Sequence, residues 1–286
     1  MPQQVWLITG ASSGFGALLA EHALKAGHSV IATARNPTKA AQDYPQIASL
    51  GGKWLQLDVT SKTAKEEVEK SINDNGGNID VVINNAGYGL LGSIEDISED
   101  ELDTQFQTNV YGLVRVTKAA LPFMRAQRSG TIVNLSSIAG FAAGPSGGAY
   151  SMSKFAVEAL SESLSLELSP FNIRVLLVEP GAFRTKFLGS HKLPAAGLTK
   201  DYEGTPLANI LAMFDSMAGK QPGDPVKAVQ RIMEVIQSQG LGQGKEHLLR
   251  LPLGTDCFPR MLAKLDSVRQ NLEEMREIAL STAVDG

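Results

Sequence analysis

The chain has 286 residues, 43% hydrophobic and 20% charged, with a formal net charge of −4, the composition of a globular protein with a sizeable core rather than of a disordered one. The acidic balance and the absence of a dense Lys/Arg run argue against nucleic acid as a partner. The single Cys257 excludes an intrachain disulfide and a cysteine-rich metal site, and no apolar run approaches the ~18 residues of a membrane span, so a cytoplasmic location is expected.

The opening MPQQVWLITG runs straight into a strand, VWLIT (5–9), with no basic flank or apolar leader segment. Further strands are expected at SVIATA (29–34), KWLQLDV (53–59), VVINNA (81–86), GTIVNLS (130–136) and IRVLLVEP (173–180). Several of these runs are apolar throughout, as in a parallel sheet covered on both faces. Segments 14–26, 61–74, 99–127 and 151–168 have helical composition and length. Strand and helix in alternation predict a doubly wound parallel sheet in an α/β/α sandwich. No polar linker or repeat separates a second domain, so 1–286 is read as one domain, with 1–185 as its core. Residues 186–225, rich in Gly, Pro and Thr around the apolar ANILAMF, are expected to form a lid or pocket wall. In 226–286 a helix at 225–239 is followed by LLRLPLG (248–254), an edge strand or a loop, and by a polar helical pattern over 256–281.

After the first strand comes TGASSGFG, with Gly10, Gly14 and Gly16. Such a turn lets backbone approach a pyrophosphate and presents it to a helix N-terminus. The end of the second strand refines the ligand. An Asp or Glu there would hold the ribose 2′-hydroxyl of NAD, whereas ATARNPTK carries Arg35, which pairs with a 2′-phosphate. NADP(H) is therefore expected, with Ser12 or Ser13 and Lys39 as helpers.

Tyr150 and Lys154, in YSMSKFAVEAL, are four residues apart and share one helix face. A nearby ammonium favours the phenolate of a tyrosine whose ordinary pKa is ~10. Ser137 ends the preceding strand, where a returning loop can set its hydroxyl beside the phenol. The three groups can hold a carbonyl oxygen and protonate it. His22, His28, His191 and His247 show no metal-ligand spacing, and no metal is expected.

In sequence order TGASSGFG, NNAG (84–87), Asn109, Ser137, Tyr150-Ser-Met-Ser-Lys154 and EPGAFRT (179–185) resemble the motifs of the short-chain dehydrogenases/reductases, over about the first 190 residues. The resemblance implies a Rossmann-type fold with Tyr150 as general acid/base and Ser137 orienting the substrate oxygen. It implies that Lys154 binds the nicotinamide ribose and lowers the tyrosine pKa, and that Asn109 holds a water in the proton relay. Asp58 and Val59 would hold adenine, Asn85, Ala86 and Gly87 the adenosine ribose, and Pro180, Gly181, Phe183 and Thr185 the nicotinamide. Phe15 departs from the aliphatic residue common between the last two glycines, and only its backbone is expected to face phosphate. VIATARN and VEPGAFRT resemble the NADP-preferring hydroxysteroid and retinol dehydrogenase-like subgroup, implying a hydrophobic ketone or alcohol, reduced rather than oxidised. Redox-neutral dehydration, epimerisation or cyclisation and a non-catalytic NADP(H) sensor are the alternatives. The resemblance also suggests a homodimer or homotetramer through helices 99–127 and 151–168. Phe141, Phe187, Leu188 and Met213 are candidate pocket walls.

Overall fold

The computed structural model describes residues 2–284. Seven strands form one parallel sheet in the order β3-β2-β1-β4-β5-β6-β7, with β1 Val5–Ile8, β2 Ser29–Ala34, β3 Lys53–Gln56, β4 Val81–Asn84, β5 Gly130–Leu135, β6 Ile173–Pro180 and β7 Arg250–Leu253. The six expected strands are all present, and 248–254 resolves as a strand. Its pairing, Val178 with Leu251 and Pro180 with Leu253, puts Pro252 on the sheet edge, where a missing N–H is tolerated.

Alternation along the strands divides two apolar cores. Trp6 and Ile8 of β1, Val30 of β2, Ile83 of β4 and Val178 of β6 pack on one face against helices α1 Gly14–Lys25 and α9 Pro225–Ile236. Leu7, Ile31, Val82 and Ile132 face the other way, against α4 Ala64–Asp74, α6 Gly112–Gln127 and α7 Gly148–Leu168. Because β1, β2, β4, β5 and β6 are buried on both sides, their residues are apolar at consecutive positions.

Two differences from the sequence reading have local causes. Pro37–Asp43 (α2) and Pro45–Ser49 (α3) fill the connection after β2, each opening on a proline at its first turn, and Asn36 caps the first by accepting from Lys39 N at 3.0 Å. The expected helix 99–127 is interrupted: α5 Glu99–Phe106 passes into a π-helical turn, Gln107–Tyr111, before α6. Beyond β6 lie α8 Pro206–Met217, then α10 Cys257–Glu274 and α11 Arg276–Leu280. Only Cys257 and Met261 of α10 are buried, against Ile138.

The strand order reverses between β1 and β4. Chains leaving the C-terminal ends of those two strands diverge, and the crevice between them is where this architecture places a ligand.

Candidate active site

The turn after β1 is built for close approach. Gly10 and Gly14 adopt φ of +64° and +54°, open to glycine at little strain. A methyl on Gly10 would lie 2.9 Å from Ala86 Cα, and one on Gly16 would lie 2.5 Å from both Asn85 Nδ2 and the Gly10 carbonyl oxygen. Asn85 stitches the two strand ends together: its Nδ2 donates to Thr9 O (2.9 Å) and Gly10 O (3.1 Å). The Thr9 hydroxyl in turn accepts from Asn85 N (2.9 Å) and Ala86 N (3.0 Å). Ser13, in an extended conformation at the N-cap of α1, makes no side-chain capping bond, and the first turn carries no acid. The unpaired N–H groups and positive dipole end of α1 are thus left open beside a cradle that any Cβ would fill. That donor set fits a dinucleotide pyrophosphate. Phe15 turns its ring away, edge-on to Phe183 at 5.3 Å between centroids.

Phe183 is thereby committed to packing: its ring also closes on Gly223, where a Cβ would come within 2.5 Å. Across the crevice Thr185 lies 3.6 Å from where a Gly14 Cβ would stand, so the loop after β6 leans on the glycine turn. Arg35 is exposed at the end of β2; partial burial is the largest single influence on the Asp58 carboxyl and raises it, but the two hydrogen bonds from Thr60 and the nearby Arg35 charge together hold it below the usual range. Val59 packs against Gly112, where a Cβ would meet its side chain at 2.7 Å.

At the head of α7, Tyr150 is only 8% exposed and its phenol is within hydrogen-bonding reach of Ser137. Burial pushes the phenol up to about 12, outweighing the Ser137 bond. The resemblance implies that Lys154 lowers this pKa; here the ammonium lies 5.8 Å from the ring centre and donates instead to Leu135 O at 2.6 Å. Tyr150 is therefore a phenol, a proton donor, across the neutral range. Lys154 is itself buried, and desolvation brings it down to about 8, with Glu158 opposing. Gly87 adjoins it: a methyl there would lie 3.8 Å from Lys154 Nζ and 3.1 Å from Asn109 Oδ1. Ser137 is held by Pro180, whose carbonyl accepts its hydroxyl at 3.4 Å, and Ser137 Oγ accepts from Ala139 N at 3.1 Å.

Asn109 sits in the π turn, an irregularity that recurs at functional sites. Its Nδ2 donates to Tyr88 O and to Ser153 Oγ, both at 3.0 Å, and its Oδ1 accepts from Tyr88 N at 3.1 Å. Both amide hydrogens are taken within the protein. Gly10, Gly14, Gly87, Asn109, Ser137, Tyr150, Lys154, Pro180 and Thr185 thus line one crevice, while Arg35 and Asp58 stand at its outer end.

Comparison with known proteins agrees with this fold. The family described as short chain dehydrogenase matches residues 4–194. The chain belongs to the short-chain dehydrogenases/reductases. Among its relatives is the 3-ketodihydrosphingosine reductase of Bacteroides thetaiotaomicron, 41% identical over 211 residues, which span 73% of this chain and 76% of that protein. A short-chain dehydrogenase of Streptomyces avermitilis superposes with a TM-score of 0.87 at 38% identity, covering 99% of this chain and 100% of that one. One from Sphingobium yanoikuyae, solved with NADPH, gives a TM-score of 0.70 at 27% identity over 99% of each chain. A family of oxidoreductases using nicotinamide cofactors thus accounts for the fold and the cradle.

In this short-chain dehydrogenase/reductase, residues 186–225 are tied down at two anchors. Leu91 N donates to Lys192 O (2.9 Å) and Lys192 N to Gly89 O (2.8 Å), while Thr199 N and Oγ1 donate to the Asp96 carboxylate (3.1 and 2.6 Å). The return is fixed where Gly223 N donates to Ala182 O at 3.0 Å. Between the anchors α8 has no buried residue; Leu207, Ile210, Leu211 and Phe214 share a half-buried face outside the two sheet cores. Phe187 covers Tyr150, ring centroids 5.7 Å apart. Leu188 is half-buried in a short turn and Met213 is exposed, whereas Phe141 packs with Ile138, Cys257 and Met261 and is core.

The sequence reading passes over Thr9, Ser153 and the Asn84–Asn134–Ser161 chain of bonds that ties β4 to β5 and α7 (Asn84 Nδ2 to Asn134 Oδ1, 2.9 Å; Asn134 Nδ2 to Ser161 Oγ, 2.8 Å). It also passes over Glu158, Glu179 and Arg250. The one available sign is a charged residue on the buried face of a helix or inside an apolar strand. Among the described residues no helix is long and apolar enough to cross a membrane.

Proposed function

We propose that this protein is an NADP(H)-dependent carbonyl reductase acting on an apolar ketone or aldehyde. The observation that carries the reading is a buried, protonated Tyr150 bonded to Ser137, with Lys154 behind it, at the inner end of a glycine cradle for phosphates. The bound cofactor supplies the hydride. Ser137 donates a hydrogen bond to the substrate oxygen, and Tyr150 transfers its proton to that oxygen as the carbon is reduced. The phenolate left behind is stabilised by the Lys154 ammonium, which would also hold the ribose of a bound nicotinamide cofactor. Asn109 is a positioning residue that pins the Gly87–Tyr88 backbone beside Lys154. The reading as a reductase rests on NADPH being the usual cellular reductant, with the Tyr150 phenol as the proton donor for that direction.

The preference for NADP(H) rests on Arg35, an exposed cation at the end of β2 with no acid at that position, aided by Ser12, Ser13 and Lys39. Asp58 and Val59 would flank the adenine, Asn85 and Ala86 the adenosine ribose, and Pro180, Gly181 and the backbone at Phe183 the nicotinamide. The apolar character of the substrate is supported by Phe187 over the phenol and by the unshared face of α8; the relative from Bacteroides thetaiotaomicron carries the name 3-ketodihydrosphingosine reductase. A homo-oligomer belongs to the same reading, supported by exposed Met152, Phe155 and Leu166 on α7.

The test titrates the protein with NADPH and NADH, then follows oxidation of the reduced nicotinamide with a panel of long-chain and cyclic ketones, in the wild type and in Tyr150→Phe. Tighter binding of NADPH and turnover reduced by about 10²–10⁴-fold in the variant are expected. Equal affinity for NADH overturns the Arg35 argument. Product formation without cofactor consumption would establish a redox-neutral reaction instead.

A further inference from the structure

One turn beyond Lys154 on α7, a second cluster of ionisable groups lies inside the molecule, outside the site described above. Glu158 and Glu179 project from α7 and β6; the Glu179 side chain is 0% exposed and that of Glu158 is 8%. A single guanidinium faces them: Arg250, on β7, places Nη2 3.2 Å from Glu158 Oε2 and Nε 3.3 Å from Glu179 Oε1. Its Nη2 also pairs with Glu162 Oε1 at 2.5 Å, but Glu162 is 57% exposed and water carries its charge. Two buried carboxyls therefore share one cation.

The hydrogen-bond arrangement shows what makes up the difference. Beyond the ion pair of Glu179 Oε1 with Arg250 Nε at 3.3 Å, Glu158 Oε1 and both Glu179 oxygens are buried without a well-aligned hydrogen bond. Bare carboxylate oxygens in that position are costly, and two carboxylates side by side cannot both ionise in a low dielectric. A proton between them satisfies an acceptor on one and gives the other a donor. The remaining neighbours supply no alternative cation. The Ser136 hydroxyl lies against Glu158, favouring its charged form, and Cys257 donates its thiol to the Glu179 backbone carbonyl at 3.2 Å, its own pKa raised to about 11 by burial. Asp256 adds a further negative group on that side, its carboxylate engaged by Ala182 N at 2.9 Å. Lys154 is the next positive charge, four residues before Glu158 on the same helix face.

We propose that Glu158 and Glu179 share one proton under the clamp of Arg250, and that the single negative charge they keep holds Lys154 as an ammonium. This rests on the reading of Lys154 given above. With one proton in the pair, one buried carboxylate faces the Arg250 guanidinium; without it, two do. Glu158 and Glu179 are positioning residues, acting on the reaction only through Lys154. Burial raises both carboxyls, with the charge of Glu158 adding to the rise of Glu179, to about 8, and that of Glu162 to the rise of Glu158, so the shared proton leaves in the range where Lys154 titrates.

Two measurements, neither needing turnover, test this. Infrared pH titration of the wild type is expected to show a protonated carboxylic C=O band at neutral pH that disappears by about pH 9 and is absent from Glu179→Gln; a wild type without that band overturns the proton sharing. The side-chain carbon resonance of Lys154 in protein labelled with ¹³C-lysine, assigned through Lys154→Met, gives its charge directly. In Glu158→Gln, which removes the nearest anion, its midpoint should fall by about one pH unit, a tenfold change in the ammonium fraction at a fixed alkaline pH. In Glu179→Gln, which leaves Glu158 a full anion with an amide donor, it should hold or rise. A merely structural role would move both variants together, and equal shifts overturn the assignment. Failure of the carbonyl reductase reading would show as missing turnover with these titrations intact.

Discussion

Two regions face each other across the crevice, and they are built on opposite terms. On the cofactor side, the ends of β1 and β4 are in backbone contact, and added methyls would meet main-chain atoms at 2.9 Å from Gly10 and 2.5 Å from Gly16. On the side proposed to hold substrate, α8 buries no residue, and the flanking Gly204 and Gly219, at φ of +73° and +79°, have nothing within 4 Å of a Cβ. The first region tolerates one shape. The second has a fixed stem and a free span. A site that grips a common phosphate group through main-chain N–H needs exact backbone, whereas one that encloses an apolar molecule needs area and room to adjust.

The sharpest way to break this contrast is Gly16→Ala. Alanine in a helix favours folding over glycine by up to ~1 kcal/mol, which here opposes overpacking of about 1–3 kcal/mol against the Gly10 carbonyl, an atom that cannot swing aside. Overpacking should win. We expect a net loss of stability of about 1–2 kcal/mol, a Tm lower by several degrees, and dinucleotide affinity reduced at least tenfold because the first turn of α1 must shift. Calorimetry and fluorescence titration measure both. A variant more stable than the wild type and binding normally would mean that the cradle has slack.

The same contrast explains how much was legible in the sequence. β1, β2, β4, β5 and β6 announce themselves because strands buried on both faces read as apolar runs, and the glycine turn, Ser137, Tyr150 and Lys154 because their chemistry demands those residue types at those places. Other features carry no such mark. The π turn at Gln107–Tyr111 comes from one extra residue in a helix whose apolar periodicity barely changes, and α2 and α3 hide in a proline-rich stretch too short for a period. β7 is ambiguous because Pro252 argues against a central strand but not against an edge. Distance in sequence hides the clamp of Arg250 on Glu158 and Glu179, which lie 92 and 71 positions away (250 − 158 and 250 − 179). For residues 186–225 the sequence shows composition but not which face of ANILAMF turns inward.

Phe187→Ala probes the junction of the two regions, with an intermediate effect. The ring shields Tyr150 while remaining 39% exposed itself, so it supplies part, not all, of an aromatic contact. Losing it should admit water to the phenol and bring its pKa down from about 12 towards the ordinary ~10, since desolvation is the dominant cause of the rise. The KM for an apolar ketone should increase about tenfold, equivalent to ~1.4 kcal/mol. Ultraviolet titration of tyrosinate, with Tyr150→Phe as the reference, isolates the one phenol among five. An unchanged alkaline titration would show that strand ends and α7, rather than Phe187, keep Tyr150 dry.

The smallest expected effect is the most discriminating. At Gly204 an alanine meets no atom but must take φ near +73°, a strain of roughly 1–2 kcal/mol. Whether that strain appears in global stability depends on whether α8 unfolds with the rest. Its apolar face stands outside both sheet cores, and its anchors at Thr199 and Gly223 lie beyond the two glycines, so the span can open alone and release the strain locally. Tm in Gly204→Ala should therefore change by less than in Gly16→Ala, about a degree, while amide exchange in 204–219 accelerates and KM for the apolar substrate moves two- to threefold. A Tm loss matching that of Gly16→Ala would place α8 within the cooperative core, and the two sides of the crevice would then differ in packing density alone.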